Sequence, residues 1–502
     1  MSVGRKLVDG SAPAVLPLTR DRYPELKRGN YEIPTEQDRK YFSELLGTDG
    51  VLTDPELVEA HNIDWDKQAR GYSNLVLLPR TTDEVSAILK HCNDRNLAVC
   101  PQGGNTGLVW GSVPVFDEII INTKRMNDII SFDETSGVLV CQAGCILSDI
   151  DDYVRERGFV VPLDLGARKM CHIGGNVSTN AGGIRALRYG SMHANVLGLE
   201  VVLADGEVLE SMNTLRKDNS GYHVKHMFIG SEGTLGIITK VAIMCPAAPT
   251  SVNVLFLGTD SFQHVVQIYK ESRRQLSEVL SACEMMDAEC MDLVRTKLGY
   301  TNPVAECSFY MVIEVSGSNA AHDMEKANKL LESLKKSGLI VSGTIARDNA
   351  ERTQFWETRL RIGKGLWAEG CMYTFDVSLP LSCYYDIVDA LRQRLRDDNR
   401  IYKRVCGFGH MGDSNLHLAV SSAKFDPDLL KYMEEFAYEW VAKRHGSIAA
   451  EHGIGFKKTR FLPYSKTSLA VSVMQGVKKQ LDPKGLLNPY KVLPIGLKGK
   501  YC

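Results

Sequence analysis

Two clusters of glycine and small polar residues constrain the fold of this chain more than any other feature. The first, PQGGNTG, covers residues 101–107 and directly follows the apolar run LAVC; the second, HIGGNVSTNAGG, covers residues 172–183. Glycine permits positive φ and lets backbone N–H groups approach a ligand closely, so such loops can cradle a pyrophosphate. One Gly-Gly pair is typical of a tight turn alone, but two clusters rich in Asn, Thr and Ser favour ligand binding. Neither fits G-x-G-x-x-G, which disfavours a nicotinamide-dinucleotide site.

Short apolar runs alternate with helical patterns across residues 46–249, and this alternation predicts a mixed α/β domain. The runs NLVLLP, LAVCPQGG, EIIIN, GVLVCQAG and LGLEVVLADG are typical of strands. The segment TTDEVSAILKHCNDRN is typical of a helix, with Thr82 predicted as its N-cap. Residues 1–45 are polar and interrupted by prolines, so we expect an irregular lead before this domain.

A second domain is predicted beyond CPAAPTS, the segment at residues 245–251. The helical pattern SFQHVVQIYKESRRQLSEV, the strand pattern SFYMVIEVSG and the helical pattern SNAAHDMEKANKLLESLKKSG follow one another. This order predicts an α+β layer over residues 250–460. Residues 461–502 hold a helical pattern and the turn LDPKGLLNPYK, and we expect them to pack back on the first domain.

The overall charge and the cysteine pattern exclude several classes of protein. The chain has 59 Lys and Arg against 61 Asp and Glu residues, so we expect no nucleic-acid partner. No apolar run reaches the roughly 18 residues that cross a bilayer. The N-terminus MSVGRKLVDGSAPAV lacks the apolar stretch of a secretion signal and is weak as a mitochondrial presequence. Thirteen cysteines without a C-x-x-C pair predict mostly buried free thiols in a reducing compartment.

The two clusters, followed by RYG at 188–190 and FIGSEGTLGIIT at 228–239, resemble the FAD-binding domain of the vanillyl-alcohol-oxidase-type flavoproteins. The resemblance covers roughly residues 60–495. It implies an α+β fold with a two-subdomain, PCMH-type FAD-binding domain over 46–249, a substrate or cap domain over 250–460, and a C-terminal segment, 461–502, returning to the FAD-binding domain. The FAD contacts that it implies come from Gly103, Gly104, Asn105, Thr106, Gly107, Gly174, Gly175, Asn176, Thr179, Asn180, Gly182, Gly183, Gly190, Ile237 and Asn488.

The first cluster bears on how FAD is held. Members of this family that attach FAD covalently often carry His in the first loop, where this chain has Asn105 and Thr106, so we expect non-covalent FAD. Related sequences usually continue GLVGGSVP, but here Trp110 takes the place of a glycine. Because tryptophan does not easily adopt positive φ, we expect either ordinary backbone with an outward side chain, or impaired FAD binding.

A second constellation lies in RVCGFGHMGDSNLHLAV, residues 404–420, where a turn-forming GDSN separates two histidines. The flanks are typical of strands, so a tight turn would bring His410 and His417 side by side. Glu451 and His452, in AEHGIG, add a carboxylate and a third imidazole. A His pair alone is more often structural, but two imidazoles and a carboxylate form a recurring open site for Zn²⁺ or a similar metal.

These segments resemble the patterns GHxGDGNLH and AEHGxG of the D-2-hydroxyglutarate dehydrogenases and related D-2-hydroxy-acid dehydrogenases. The resemblance implies that His410, His417 and Glu451 bind the metal and that His452 is the general base. In such a site a metal would lower the pKa of the 2-hydroxyl, the imidazole would take its proton, and the flavin would supply the acceptor for the C2 hydride.

The segment FWETRLR matches the region of these enzymes that binds the substrate carboxylate, which implies this role for Arg359. A planar guanidinium suits a carboxylate, although an unmatched helix arginine would by default be a solvated charge. Arg361 and Lys364 are weaker candidates.

Three positions depart from the hydroxyglutarate pattern. Where those enzymes carry Thr, Lys and Asn, this chain has Gly363, Thr374 and Ala419, and Ala419 is expected to face the substrate with His417. All three changes remove polar groups from one pocket, so we expect weaker selectivity for a second carboxylate unless Lys364 compensates.

The resemblance implies oxidation of D-2-hydroxyglutarate to 2-oxoglutarate with FAD and a divalent metal. The alternatives are a D-lactate or broad D-2-hydroxy-acid dehydrogenase, and a catalytically impaired flavin-fold protein kept for binding. The resemblance also implies a mitochondrial location and electron-transfer flavoprotein as the electron acceptor.

Overall fold

The computed structural model describes residue 23 and residues 26–494. The predicted irregular lead therefore lies largely outside the described residues, as does the end of the C-terminal segment, residues 495–502. Residues 36–45 of the lead correct the prediction, because they belong to helix α1 (Glu36–Leu46). Thr35 caps the helix by accepting from the Asp38 N–H, and the Asp38 side chain accepts from the Thr35 N–H in return, a capping box that stabilises this first helix.

A small four-stranded sheet forms the first half of the FAD-binding region. Its elements are β1 (Val51–Leu52), α2 (Pro55–Asn62), β2 (Val76–Leu77), α3 (Thr82–Arg95), β3 (Val99–Gln102) and β4 (Ile119–Asn122), and the strand order is β1-β2-β4-β3. The strands β2 and β3 run parallel to β4, and the first glycine cluster follows β3. The cap of α3 is Thr81 and not Thr82, because the Thr81 side chain accepts from the Glu84 N–H.

A five-stranded antiparallel sheet forms the second half. Its elements are β5 (Ile129–Asp133), β6 (Val138–Gln142), α4 (Leu147–Arg155), α5 (Ile173–Ser178), α6 (Ala186–Tyr189), α7 (Met192–Asn195), β7 (Val196–Val202), β8 (Val208–Ser211), α8 (Lys225–Phe228) and β9 (Ile237–Met244). The strand order is β5-β6-β9-β7-β8. The second glycine cluster forms α5 and the loop after it, so both clusters lie at the junction of the two sheets.

A seven-stranded antiparallel sheet carries the rest of the chain. Its elements are β10 (Ser251–Thr259), α9 (Phe262–Leu276), β11 (Leu280–Asp287), α10 (Ala288–Leu298), β12 (Phe309–Gly317), α11 (Ala320–Lys336), β13 (Ser342–Ile345), α12 (Asn349–Leu360), α13 (Ile362–Glu369), β14 (Cys371–Ser378), α14 (Asp386–Asp397), β15 (Arg404–His410), β16 (Asn415–Ser422) and α15 (Pro427–Ala442). The strand order is β13-β10-β12-β11-β15-β16-β14. Helices α9, α11, α14 and α15 cover one face with a large apolar core. Helices α10, α12 and α13 cover part of the other face.

The C-terminal segment lies on the first sheet. Helix α16 (Ser468–Leu481) precedes a stretch that pairs with β3, where the Asn488 N–H donates to the Val99 carbonyl at 2.8 Å. The buried Lys491 ammonium donates to the Gly111 carbonyl at 3.0 Å, just beyond the first glycine cluster. The end of the described chain therefore holds the loop after the first glycine cluster in place.

The structure bears on the two expectations about membrane-spanning segments and cysteines. None of the helices in residues 26–494 is both long and apolar enough to cross a membrane. The twelve described cysteines are free thiols, and ten of them are buried, which confirms the predicted buried free thiols for the described part of the chain.

The structure rules out the first alternative for Trp110, an ordinary backbone with an outward side chain. Its backbone takes the left-handed φ of +60°, yet its side chain is only 1 % exposed. The ring packs with Ala69, Val113 and Phe456 in a separate apolar cluster and does not line the cavity beside the glycine loops. The burial of a large ring, worth several kcal/mol, outweighs the roughly 1–2 kcal/mol cost of this backbone conformation.

We expect Trp110→Gly to lower the free energy of unfolding by about 2–3 kcal/mol, because the lost ring packing exceeds the relief of backbone strain. Denaturant unfolding followed by circular dichroism measures this change. The matched control is Lys67→Gly, at an exposed residue with φ of +56°, where only backbone strain changes. A Trp110→Gly variant as stable as the parent chain would contradict this account of the ring.

Candidate active site

One cavity of about 710 Å³ joins the glycine clusters to the seven-stranded sheet. Its walls come from both FAD-side sheets, from α12 and α13, and from β14, β15 and β16. This volume is within the range of small-molecule and cofactor sites. The two constellations singled out in the sequence therefore face the same space.

Most of the residues expected to contact a cofactor line this cavity. These are Gly103, Gly104, Asn105, Thr106, Gly107, Gly174, Gly175, Asn176, Thr179, Gly182, Gly183 and Ile237. At Gly107 and Gly175 an added Cβ would meet no atom within 4 Å, so the backbone borders open space, whereas at Gly104 it would lie 2.0 Å from the Met170 carbonyl oxygen. The Asn176 Oδ1 is buried and has no hydrogen-bond partner among the residues that the structure describes, as expected of a side chain that binds a ligand.

Three of the expected cofactor residues do not line the cavity: Asn180, Gly190 and Asn488. Asn180 follows α5, and Gly190 ends α6 with a φ of +77°. Asn488 donates to the carbonyls of Gly111 at 3.0 Å and Glu232 at 2.8 Å. It thus ties together two loops that border the cavity.

The β15–β16 hairpin brings the two histidines together. Antiparallel register pairs His410 with Asn415 and Phe408 with His417, so the two imidazoles project from the same face of the sheet. Their Nε2 atoms lie 3.3 Å apart. Glu451 Oε1 lies 3.9 Å from the His410 Nε2 and 3.6 Å from the His417 Nε2. These spacings suit one ion bound at the roughly 2.0–2.2 Å distances of zinc ligands.

The carboxylate of Asp376, on β14, fixes the backbone that carries Glu451. One oxygen, Oδ2, accepts the N–H groups of residues 450, 451 and 452 at 2.8–3.0 Å. The other accepts the Asn415 side-chain amide at 2.7 Å. Burial alone would raise the pKa of Asp376, but its electrostatic interactions with His452 and Lys458 and these N–H groups hold it below its ordinary value. Asp376, His417, Glu451 and His452 have ligand atoms within 4.8 Å of one another, a group that could hold a metal ion. The Asp376 oxygens already accept four hydrogen bonds, so we regard Asp376 as an anchor of the loop.

Glu232, in the FAD-side loop, holds the same segment from the other side. Its two carboxylate oxygens accept the N–H groups of Ile454 at 2.7 Å and Gly455 at 2.8 Å. Burial raises the pKa of Glu232, and the two hydrogen bonds oppose that rise. The loop with Glu451 and His452 is therefore held between one carboxylate from each domain.

Glu284, on β11, connects His410 to Arg359. Its Oε1 lies 2.7 Å from the His410 Nδ1, and its Oε2 lies 2.9 Å from the Arg359 Nη2. The His410 Nδ1 thus has a carboxylate partner, which turns its Nε2 toward the cavity, the arrangement commonly found behind a metal-bound histidine. Sequence reasoning missed Glu284 and Asp376. The available signal was a carboxylate inside an apolar strand pattern, as in LSACEMMD.

The charges of the cluster follow from burial and from one another. Burial lowers the pKa of His417 to about 3, so its imidazole is neutral. Burial would also lower the pKa of His410, but Glu284 and Glu451 outweigh that effect and raise it well above its ordinary value. Burial opposes ionisation of Glu451, yet His410 and His417 lower its pKa to about 2. A carboxylate and two imidazoles in these surroundings suit a cation better than a neutral ligand.

Arg359 and His452 complete the lining at this end. Arg359 is 5 % exposed, lies 4.8 Å above the Phe408 ring, and has an Nε without a hydrogen-bond partner among the described residues. The His452 Nε2 lies 3.7 Å from Glu451 Oε1, and its ring stacks on His417 at 5.7 Å. A buried guanidinium with an unused donor can bind an anion, and an accessible imidazole can accept a proton.

Another group with metal-ligand atoms lies outside the cavity: Asp287, Cys290 and Cys406. The Asp287 carboxylate already accepts from the Tyr385 hydroxyl, the Gly407 N–H and the Arg392 guanidinium. Burial raises the pKa of both thiols, which disfavours the thiolates that a metal needs. This group is therefore part of the core.

The distal positions differ from the expectation in one respect. Gly363 and Thr374 line the cavity, but Ala419 is fully buried and does not. It shares a sheet face with His417, yet Ile362 and Leu366 of α13 pack with it in one apolar cluster. The prediction that Ala419 faces the substrate is wrong, because a helix covers that part of the sheet.

Comparison with known proteins agrees with this architecture. Residues 73–211 match the FAD binding domain family, and residues 248–492 match the C-terminal domain family of FAD linked oxidases. The fold is also similar to that of p-cresol methylhydroxylase, with a TM-score of 0.74, 16 % identity, and coverage of 93 % of this chain and 99 % of that one. The expected fold, with a PCMH-type FAD-binding domain and an FAD-oxidase C-terminal domain, is confirmed.

Two relatives share much more of the sequence. The mitochondrial D-2-hydroxyglutarate dehydrogenase of Danio rerio is 53 % identical over 460 residues, which are 92 % of this chain and 86 % of that protein. The mitochondrial D-2-hydroxyglutarate dehydrogenase of Rattus norvegicus is 53 % identical over 487 residues, 97 % and 90 % of the two chains. The chain therefore belongs to the D-2-hydroxyglutarate dehydrogenase family of FAD-linked oxidoreductases.

Proposed function

We propose that this chain oxidises D-2-hydroxyglutarate to 2-oxoglutarate, with FAD as the hydride acceptor and a divalent metal beside the substrate. The observation that carries the proposal is one cavity with the glycine clusters at one end and Arg359, His410, His417, Glu451 and His452 at the other. The family membership supports the substrate, since both relatives are named for it.

The FAD-binding domain fits its cofactor through an open glycine cradle and the unpartnered Asn176 amide oxygen. We assign FAD contacts to the twelve cavity-lining residues named above, and a supporting role to Asn180, Gly190 and Asn488. FAD, when bound, supplies the two-electron acceptor for the C2 hydride. The domains are proposed as residues 46–249 for FAD, 250–460 for substrate and metal, and 461–502 as the returning segment.

Each residue at the substrate end of the cavity has a separate proposed role. Arg359 binds the C1 carboxylate through its unpartnered Nε and orients C2. His452 takes the proton of the 2-hydroxyl at an imidazole nitrogen. His410, His417 and Glu451 would hold Zn²⁺ or a similar ion, which lowers the pKa of an alcohol bound to it. Asp376, Glu232 and Glu284 keep these groups in place.

The location and the electron acceptor follow from the relatives and the family. The two relatives are mitochondrial, and we propose the same compartment for this chain. We also propose electron-transfer flavoprotein as the protein that reoxidises the flavin. The support is the family resemblance alone.

A D-lactate or broad D-2-hydroxy-acid dehydrogenase is the second candidate, favoured by Gly363 and Thr374 at the far end of the cavity. The third, an impaired flavin-fold binding protein, rested partly on Trp110. Because that ring lies outside the cavity lining, it gives this third candidate no support.

We expect acid precipitation of the purified yellow protein to release all of the flavin into the supernatant, because Asn105 and Thr106 offer no covalent attachment point. Absorbance of the supernatant and of the redissolved pellet measures the split. Colour retained in the pellet would refute non-covalent binding, and a colourless native protein would refute the FAD assignment.

We expect exhaustive chelation to abolish anaerobic flavin reduction by D-2-hydroxyglutarate while the flavin spectrum of the bound cofactor persists, since the proposed ligands lie outside the FAD-binding domain. His410→Ala should behave like the chelated protein. The control is His322→Ala, at a half-exposed histidine on α11 outside the cavity. Full activity of chelated His410→Ala would end the metal proposal.

We expect Glu284→Gln to weaken divalent-metal affinity about 10- to 100-fold, because the charged partner behind His410 is lost. Competition with a chromophoric chelator measures the dissociation constant. Glu314→Gln, on the adjacent strand β12, is the matched control, since its carboxylate contacts Ser281 and Trp356 instead. Equal affinities of the two variants would show that Glu284 does not support a metal ligand.

A further inference from the structure

The part of the cavity that receives the substrate tail can be located from the sheet register. Asp376 pairs with His417, and Thr374 pairs with Ala419, so Thr374 lies one pleat beyond the histidine cluster on the same face. Met372 follows on that face after a further pleat. Residues two apart on a strand are about 7 Å apart, so this distance is covered by a three- or four-carbon tail. The tail of a 2-hydroxy acid held at the cluster would therefore extend toward Thr374 and Met372.

The walls of this tail pocket are mainly aromatic and apolar. Trp65, from the FAD-binding domain, and Trp367, from α13, meet across the mouth with ring centroids 6.5 Å apart. Met372 and Phe408 line the cavity on the sheet side. On α13, Gly363 lies one turn before Trp367 and an added Cβ there would meet no atom within 4 Å. The open space at Gly363 and the neighbouring aromatic and apolar side chains suit a flat apolar group.

The tail pocket has few charged groups. Arg361 lines the cavity, but its guanidinium is paired with the Glu357 carboxylate at 2.5 and 3.1 Å. Lys364 is exposed, lines the cavity and has no ion pair among the described residues. The flexible Lys364 ammonium at the edge can pair with a second carboxylate. It does not exclude an uncharged tail, because an exposed ammonium stays hydrated when it has no partner.

We propose that this chain also oxidises D-2-hydroxy acids with apolar tails, aromatic ones included, and that Trp65 and Trp367 select them while Lys364 selects the dicarboxylate. The inference rests on the proposed function, because the reacting end is the same. The C2–H and O–H bonds of the acid break and a C=O bond forms. The hydride passes to FAD, the proton passes to His452, and the product is the corresponding 2-oxo acid.

The test is anaerobic flavin reduction by the holoenzyme with D-2-hydroxyglutarate, D-phenyllactate and D-lactate. We expect kcat/KM for D-phenyllactate to lie within about tenfold of the hydroxyglutarate value and at least about tenfold above the D-lactate value, as contact with an aromatic pair provides. Trp367→Ala should lower the ratio of D-phenyllactate to D-lactate by about tenfold. Lys364→Met should instead lower kcat/KM for D-2-hydroxyglutarate and leave the ratio of D-phenyllactate to D-lactate as it is.

The control variant is Tyr222→Ala, which removes an aromatic side chain that is 97 % exposed and outside the cavity. D-phenyllactate oxidised no better than D-lactate would overturn the inference, as would Trp367→Ala slowing all three acids equally. Reduction by D-2-hydroxyglutarate alone would overturn it and leave the proposed function intact. No reduction by any of the three acids in flavin-loaded protein would overturn the proposed function itself.

Discussion

The site depends on two buried carboxylates that accept backbone N–H groups. Asp376 accepts three consecutive N–H groups at residues 450–452, and Glu232 accepts two more, from Ile454 and Gly455. A short irregular loop would otherwise have no regular partner for these donors. Because one carboxylate belongs to the seven-stranded sheet and the other to the FAD-binding domain, the same hydrogen bonds that order the loop also join the domains. These hydrogen bonds between the domains determine the positions of Glu451 and His452.

The sequence predicted the parts of this protein whose causes are local. A turn-forming GDSN between two strand patterns was sufficient to place His410 beside His417, and two glycine clusters after apolar runs were sufficient to indicate a cofactor loop region. The expected fold class and the family were confirmed in the same way, since the motifs that carry them are contiguous. In each case the residues that make the structure are within a few positions of one another.

Glu284 could not be placed from the sequence because its partner His410 is 126 residues away. The two meet only because β11 lies next to β15, a neighbour relation that no local pattern encodes. Ala419 was misplaced for a related reason: strand alternation gives the face of a side chain but does not tell which helix covers that face. Trp110 shows a third limit, since a rare backbone conformation was stabilised by packing against residues as distant as Phe456.

The Glu284 carboxylate lies between a proposed metal ligand, His410, and the proposed carboxylate-binding residue, Arg359. Glu284 contacts the back of His410 with one oxygen and Arg359 with the other, at 2.7 and 2.9 Å. Any ion that draws charge from His410 therefore also alters how strongly Arg359 is retained by Glu284, and an acid that attracts Arg359 acts back on His410 through the same group. Occupancy at one position is thermodynamically linked to occupancy at the other, and the linkage is reciprocal. The equilibrium does not depend on whether the ion or the acid binds first. The ion changes the dissociation constant of the acid by the same factor by which the acid changes that of the ion.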